Sequence, residues 1–473
     1  MITFGTGGWR AVIGEDFIKS NIQRIAAALA RRMVREGCAD SGICAGYDRR
    51  FLSREACIWF CEVMAGEGVR VAFVNLNCPT PQIMFTVKNM GLQYGIMVTA
   101  SHNPAIYNGV KVFTAGGRDA DVGVTKKIEE QIAGINPADI CSVPYEEALA
   151  RGLVREDNTA NDYIDSILAL VDTDAIKKAR LKIALDPMYG VSQTSLRTIL
   201  GTCRCDLEVI HDRHDTLFGG KLPAPNAATL TTLSHYVVDR HCDLGVATDG
   251  DADRLGVIDE KGGFIHPNTL LVLLYYYLVK YRGWNGPCVR NNSTTHLLDR
   301  VAAGLGQQCY EVPVGFKHIS AGMQRYDALI GGESSGGLTV RGHISGKDGL
   351  YAASLLVEML CVTGQSMSRL VRTLYDRFGE AHMAEYDWAL TEARKEDIRQ
   401  KIMEERQLPA FPMAVQKVSY LDGCKVYLAG GWVILRFSGT EPRVRIFAEA
   451  DTIHHAKTLV GIMADFTGLP FDA

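Results

Sequence analysis

Three carboxylates at alternate positions, Asp249, Asp251 and Asp253, followed by Arg254, lie between apolar stretches at 244–247 and 255–258. Like charges a few ångströms apart repel unless a cation holds them, and an all-oxygen set suits a hard ion such as Mg2+ or Mn2+ rather than zinc. Counted from Asp249, Glu260 falls at position 12 of an EF-hand. Arg254 occupies position 6, where the sharp turn needs glycine, and the flanks are strand-like where an EF-hand needs helices. The spacing therefore predicts a Mg2+ site on a loop between strands, with a solvated acidic turn as the plainer alternative.

Three other segments carry chemistry. Thr99-Ala100-Ser101-His102-Asn103-Pro104 follows an apolar strand pattern, the place where α/β sheets put ligands. Ser101 could act as a nucleophile, but His102 is an adjacent residue with poor geometry for a base, and no G-x-S-x-G elbow is present. By itself the segment reads better as an ordinary turn with Ser and Asn capping a helix, and it decides nothing alone. In Gly331-Gly332-Glu333-Ser334-Ser335-Gly336-Gly337, glycines let the backbone approach a ligand, and a carboxylate beside hydroxyls suits sugar hydroxyls; a P-loop lysine is missing. Arg436, Ser438, Gly439, Thr440 and Arg443, with Arg445 following, combine bidentate phosphate donors with hydroxyls around a glycine turn.

The elements that must position these loops alternate between two periods. Residues 21–35 carry helical spacing, and 43–47, 69–75, 95–99 and 110–113 read as buried strands, an alternation that predicts mostly parallel sheets covered by helices. After a polar stretch at 151–162 the cycle restarts with strands at 182–185, 207–210 and 244–247 and a helix at 192–200. A third round holds a strand at 255–258, a helix at 268–281 and strands near 288–290 and 329–331. The last hundred residues differ: a charged helix at 392–406, strands at 426–428, 432–437 and 444–450, and a helix from Thr452 give an α+β pattern. The expected fold is α/β, with three similar α/β domains of mixed, mostly parallel sheets and a C-terminal α+β domain. The expected boundaries are 1–158, 159–258, 259–373 and 374–473.

Bulk properties agree. A chain of 473 residues is too long for one core and suggests about three or four domains. A net charge of −4 without a basic block argues against nucleic acid as a partner. The longest apolar run, 270–279, is about half a membrane span and reads as a buried helix. The first residues lack a secretory pattern, so the thirteen scattered cysteines are expected to be free thiols in a cytoplasmic protein.

Taken in order, the four segments resemble the α-D-phosphohexomutase superfamily of phosphoglucomutases, phosphomannomutases and phosphoglucosamine mutases. The resemblance spans the chain and extends to residues 4–10 (FGTGGWR), 46–50 (GYDRR), 107–111 (YNGVK) and 315–317 (GFK). It implies four domains around a central cleft and a phosphoryl group moved between two hydroxyls of one hexose. Ser101 is then the phosphoserine, and Asp249, Asp251 and Asp253 hold Mg2+ together with a phosphoserine oxygen. Arg10 and Lys111 neutralise the transferring group, Lys111 also assists proton transfer, and His102 supports the serine loop.

The same resemblance gives Glu333 and Ser335 the sugar hydroxyls, and Arg436, Ser438, Gly439 and Thr440 the substrate's phosphate, with Arg443 close. Arg254 and Lys317 complete the substrate contacts. Many phosphomannomutase-like members end the sugar loop with His where this chain has Gly337, which leaves Lys317, His318 and His343 open as acid/base from the third domain. The implied partner is a small sugar phosphate primed by hexose 1,6-bisphosphate. Glucose phosphate is expected first, mannose and glucosamine phosphates as alternatives, and a non-catalytic sugar-phosphate binder as the reading of another class.

Overall fold

The computed structural model describes residues 2–5, 7–438 and 442–471. The chain divides into two compact units, Met1–Leu270 with Ser335–Arg369, and Leu271–Ser334 with Leu370–Ala473.

In the first unit, Ile43–Tyr47 and Tyr94–Val98 are buried along their whole length, as strands covered on both faces must be. Alternation splits their side chains between two cores. Ile43, Ala45 and Tyr47 join the cluster that includes the apolar faces of helices Lys19–Arg35 and Ser53–Gly66. Cys44 joins the one that includes Ile83, Met84 and Val87 of Thr80–Asn89. These strands centre a sheet ordered Trp9–Val12, Tyr107–Thr114, Tyr94–Val98, Ile43–Tyr47, Val71–Val74, Val154–Asp157. Its first three strands are antiparallel and the remainder parallel.

A second sheet is ordered Phe264–Ile265, Leu255–Ile258, Leu244–Thr248, Lys182–Asp186, Asp206–Val209, again antiparallel at one side and parallel at the other. Thr248 pairs with Leu255, so the intervening acidic residues form a hairpin loop, and the helices of an EF-hand are not there.

The second unit holds the parallel strands Cys309–Val312, Cys288–Asn291 and Ile330–Gly332. It also holds an antiparallel sheet ordered His382–Ala389, Arg443–Ala450, Gly431–Phe437, Cys424–Leu428, Val415–Ser419. A charge network centred on the buried Arg290 and Lys425 ties the two sets of strands together. Arg290 pairs with Asp299 and Glu311 at 2.6 Å each, and Lys425 Nζ donates to Glu311 at 2.9 Å and to the Asn292 carbonyl at 2.6 Å.

The expected fold class stands: α/β sheets with a C-terminal α+β part. Two local expectations are corrected. The polar stretch at 151–162 contains the strand Val154–Asp157, parallel to Val71–Val74. Its exposed Arg155 and Glu156 are what an edge strand carries and look like a linker in sequence. The charged helix stops being regular at Arg399, continuing as one wider turn over Gln400–Glu404. The apolar run at 270–279 is the helix Pro267–Lys280, buried over most of its length. Among the described residues no single helix is long and apolar enough to cross a membrane, and the thirteen cysteines are all unpaired.

Candidate functional site

In the first unit the chain leaves the strand Tyr94–Val98 and reaches Ser101, which is 1% exposed and adopts a left-handed backbone, φ 54°. Arg50 holds this loop by its carbonyls. Its Nη2 donates to Ser101 O at 2.6 Å and Asn103 O at 2.7 Å, and its Nη1 to Pro104 O at 2.9 Å and Tyr107 O at 3.0 Å. Thr99 Oγ1 donates to Asp48 Oδ2 and accepts from the Ser101 N–H. The strained turn is thus fixed before any ligand arrives.

Ser101 Oγ donates to Asp249 Oδ2 at 2.7 Å. Asp251 Oδ2 accepts from Thr80 Oγ1 at 2.5 Å and Lys111 Nζ at 2.6 Å, and Asp253 Oδ2 pairs with Lys111 at 2.8 Å and Lys347 at 2.9 Å. Ligand oxygens of the three aspartates lie within 4.8 Å of one another. The other oxygens of two of them, Asp251 Oδ1 and Asp253 Oδ1, are buried and receive no hydrogen bond among the described residues.

Burial, then Asp251 and Asp253, raises the Asp249 carboxyl to about 8. Burial also pushes Asp251 and Asp253 upward, but there the neighbouring cations, Lys111 for both and Lys347 and Arg254 for Asp253, outweigh it and leave both below the ordinary value. The local cations therefore favour the ionised form of Asp251 and Asp253 but not of Asp249. A buried, all-oxygen trio with two oxygens left without a hydrogen bond among the described residues fits a hard divalent cation.

Arg10 Nη1 donates to Asn103 Oδ1 at 2.6 Å. Arg254 Nε stands 3.9 Å from both Asp249 and Asp253, buried and without a hydrogen bond of its own among the described residues. His102 Nδ1 is 3.4 Å from Ser101 Oγ, and Arg254, its burial and Arg10 hold the imidazole well below its usual value, hence neutral at pH 7. Ser335 is exposed in its turn. His343 is tied to Asp348 at 2.7 Å, and Asp348 caps the helix Gly349–Thr363.

Lys347 is the residue that sequence reasoning missed. A Cβ on Gly337 would meet Lys347 Cδ at 2.2 Å, so the absence of a side chain there is what lets the lysine lie across the loop and reach Asp253. The departure at Gly337 was the available signal. Arg50 was also passed over, visible only as the last letter of GYDRR.

The second unit brings together Glu333, Arg436, Lys317 and His318. Glu333 Oε1 accepts from Asn291 Nδ2 and from the Gly315 N–H, both at 3.1 Å. Arg436 Nη2 donates to Asp422 Oδ2 at 3.0 Å, and the same oxygen accepts from the Val314 N–H at 2.9 Å. Lys317 and His318 start the helix Phe316–Tyr326, where burial, then Lys317, lowers His318. The Ser438 N–H donates to Arg443 O, and Arg443 pairs with Asp387 at 2.9 Å. Gly439 and Thr440 lie outside the described residues.

The four parts match four family models described as phosphoglucomutase/phosphomannomutase: α/β/α domain I over residues 1–139, domain II over 161–263, domain III over 266–378 and the C-terminal domain over 393–465. A Thermococcus kodakarensis protein named phosphoglucomutase/phosphomannomutase is 29% identical over 96% of both chains. A Methanosarcina barkeri protein named "Probable phosphoglucosamine mutase" is 31% identical over 82% of both. The crystal structure of a phosphomannomutase homologue from Thermus thermophilus superposes with a TM-score of 0.85 over 99% of both chains at 28% identity.

Proposed function

The chain belongs to the phosphoglucomutase/phosphomannomutase family and is a phosphohexomutase, an isomerase, and from that premise we propose that it interconverts glucose 1-phosphate and glucose 6-phosphate through a phosphoserine at Ser101. One observation carries the reading: a buried serine hydroxyl donates to an aspartate trio in which two further oxygens accept no hydrogen bond among the described residues.

In the proposed cycle, the free hydroxyl of the bound hexose phosphate attacks the phosphorus of phosphorylated Ser101. The P–Oγ bond breaks, the serine oxygen is left protonated, and hexose 1,6-bisphosphate forms. The bisphosphate then turns, and Ser101 Oγ attacks its other phosphorus, releasing the isomeric hexose phosphate. Asp249, Asp251 and Asp253 would hold Mg2+, which when bound would supply charge neutralisation at the phosphoryl group. Phosphoryl transfer depends on positioning and charge more than on covalent chemistry. That is consistent with a serine hydroxyl that, among the described residues, meets Asp249 and a neutral His102.

Arg10, Arg254 and Lys111 face the transferring charge, and Lys347 joins Lys111 as a second ammonium at Asp253. Glu333 and Ser335 take the sugar hydroxyls, and Arg436, Ser438, Gly439, Thr440 and Arg443, with Lys317, take the phosphate already on the sugar. Free hexose 1,6-bisphosphate primes unphosphorylated enzyme. The same reading divides the chain at residues 158, 258 and 373 and places the protein in the cytoplasm.

Glucose phosphate is favoured by the FGTGGWR opening and the Gly-terminated sugar loop. Mannose phosphate differs only at C2, a change worth little if other hydroxyls carry the grip. The test compares kcat/KM for glucose, mannose and glucosamine phosphates, each primed with its own bisphosphate. Glucose phosphate is expected to lead; a preference for glucosamine phosphate above about tenfold, ~1.4 kcal/mol, overturns the substrate while leaving the mutase.

A further inference from the structure

Two consecutive backbone amides in the second unit, those of Val314 and Gly315, each donate to a different carboxylate: Val314 to Asp422 and Gly315 to Glu333. Gly315 adopts φ 122°, ψ 128°, a conformation closed to residues with a Cβ, and this lets the chain turn there before the helix Phe316–Tyr326 begins. Asp422 uses one oxygen, Oδ2, for both the Val314 N–H and Arg436. It sits in the turn between the strands Val415–Ser419 and Cys424–Leu428. Gly423 beside it packs so closely on the next strand that a Cβ would meet Leu435 O at 2.2 Å. The turn, and with it the carboxylate, is held by backbone.

We propose that Asp422 is a positioning residue for Arg436, and that through Val314 and Gly315 it fixes the spacing between the phosphate grip at Arg436 and the sugar grip at Glu333. This rests on the reading of Arg436 and Glu333 given above. Arg436 has a long flexible stem, and its Nε is buried without a hydrogen bond among the described residues. Among the described residues the Asp422 contact is the side-chain bond that orients the guanidinium, while Arg436 itself does the binding. Two effects oppose one another. A carboxylate next to Arg436 repels an incoming phosphate, so Coulomb attraction alone predicts tighter binding once its charge is removed. Pre-organisation predicts weaker binding, because an unheld arginine must be ordered at each encounter. Since Asp422 is itself anchored by a backbone amide, pre-organisation wins.

The experiment is a double-mutant cycle in the full-length enzyme, measuring KM and kcat for glucose 1-phosphate at saturating bisphosphate. Asp422→Asn is nearly isosteric and keeps an acceptor for Val314 while losing the charge that holds Arg436. It is expected to raise KM about tenfold, with kcat falling less than KM rises, and to add nothing when Arg436 is already alanine. Asp422→Glu is expected to recover part of the loss. If Arg436→Ala leaves KM unchanged, the assignment of Arg436 to phosphate fails. If Arg436→Ala raises KM but Asp422→Asn lowers it, leaves it alone, or raises it equally in both backgrounds, the positioning role of Asp422 is overturned. Should Asp422→Asn fail to fold, the same cycle run with Asp422→Glu, expected to give a smaller rise that again vanishes without Arg436, decides the question.

Discussion

The two units build their sites differently. Around Ser101 the serine, Lys111 and the aspartate trio are buried and cross-linked: Lys111 pairs with two aspartates, Asp253 with two lysines, and the serine loop is held by four carbonyl contacts to one arginine. Around Glu333 and Arg436 the grips are half-buried, and among the described residues Arg436 donates to one carboxylate. On the function proposed above, groups that act on the transferring phosphorus need fixed positions, since small displacements are costly in rate, whereas groups that grip a substrate bound in two opposite orientations need to release it.

The largest expected effect breaks the first site. Ser101→Ala is expected to lower kcat by about a thousandfold or more, and peptide mapping of the purified wild type should find phosphate on Ser101. An unphosphorylated, fully active alanine variant would remove the serine from the mechanism.

Metal removal comes next and isolates the trio from its lysines. Chelator-treated enzyme is expected to lose activity and regain it with Mg2+, and Mg2+ is expected to raise the Tm of the wild type but much less that of Asp251→Asn, because a cation bound only by the folded state stabilises it. Full activity in excess chelator excludes the site. Zinc should substitute poorly on ligands that are all hard oxygens.

The smallest effect sharpens the contrast from the second unit, where ion pairing is structural. Burial raises Glu311, but His296, Arg290, Lys425 and Tyr427 together outweigh it and hold the carboxyl far below the usual range. A depressed carboxylate adds stability above its unfolded value, lost as pH falls through and below about 4.3. Glu311→Gln is therefore expected to destabilise the protein by about 3 kcal/mol at pH 7, with the gap to wild type narrowing only below that pH. A gap that is constant from pH 7 to 3 means the loss is packing, not charge.

Most of the first site was legible because its residues lie in short contiguous motifs at strand ends. The alternation of Asp249, Asp251 and Asp253 carries its own electrostatic argument, and a hydroxyl at Ser101 after an apolar strand carries a positional one. Lys347 was not legible. It comes ninety-four positions after Asp253 in the sequence, and only the bare Cα of Gly337 gives it a path. The strand Val154–Asp157 was lost for a related reason: an edge strand that faces water has the composition of a linker.

Periodicity and composition determined the α/β class, the order of the four loops and the chemical type each presents, because these depend on neighbours within a few residues. Tertiary structure decided which oxygens of the trio are satisfied, that Arg50 rather than a base holds the serine loop, and that Asp422 holds Arg436. Those facts depend on burial and on pairs far apart in the chain, and the free energy of a buried charge is set by what surrounds it rather than by what precedes it.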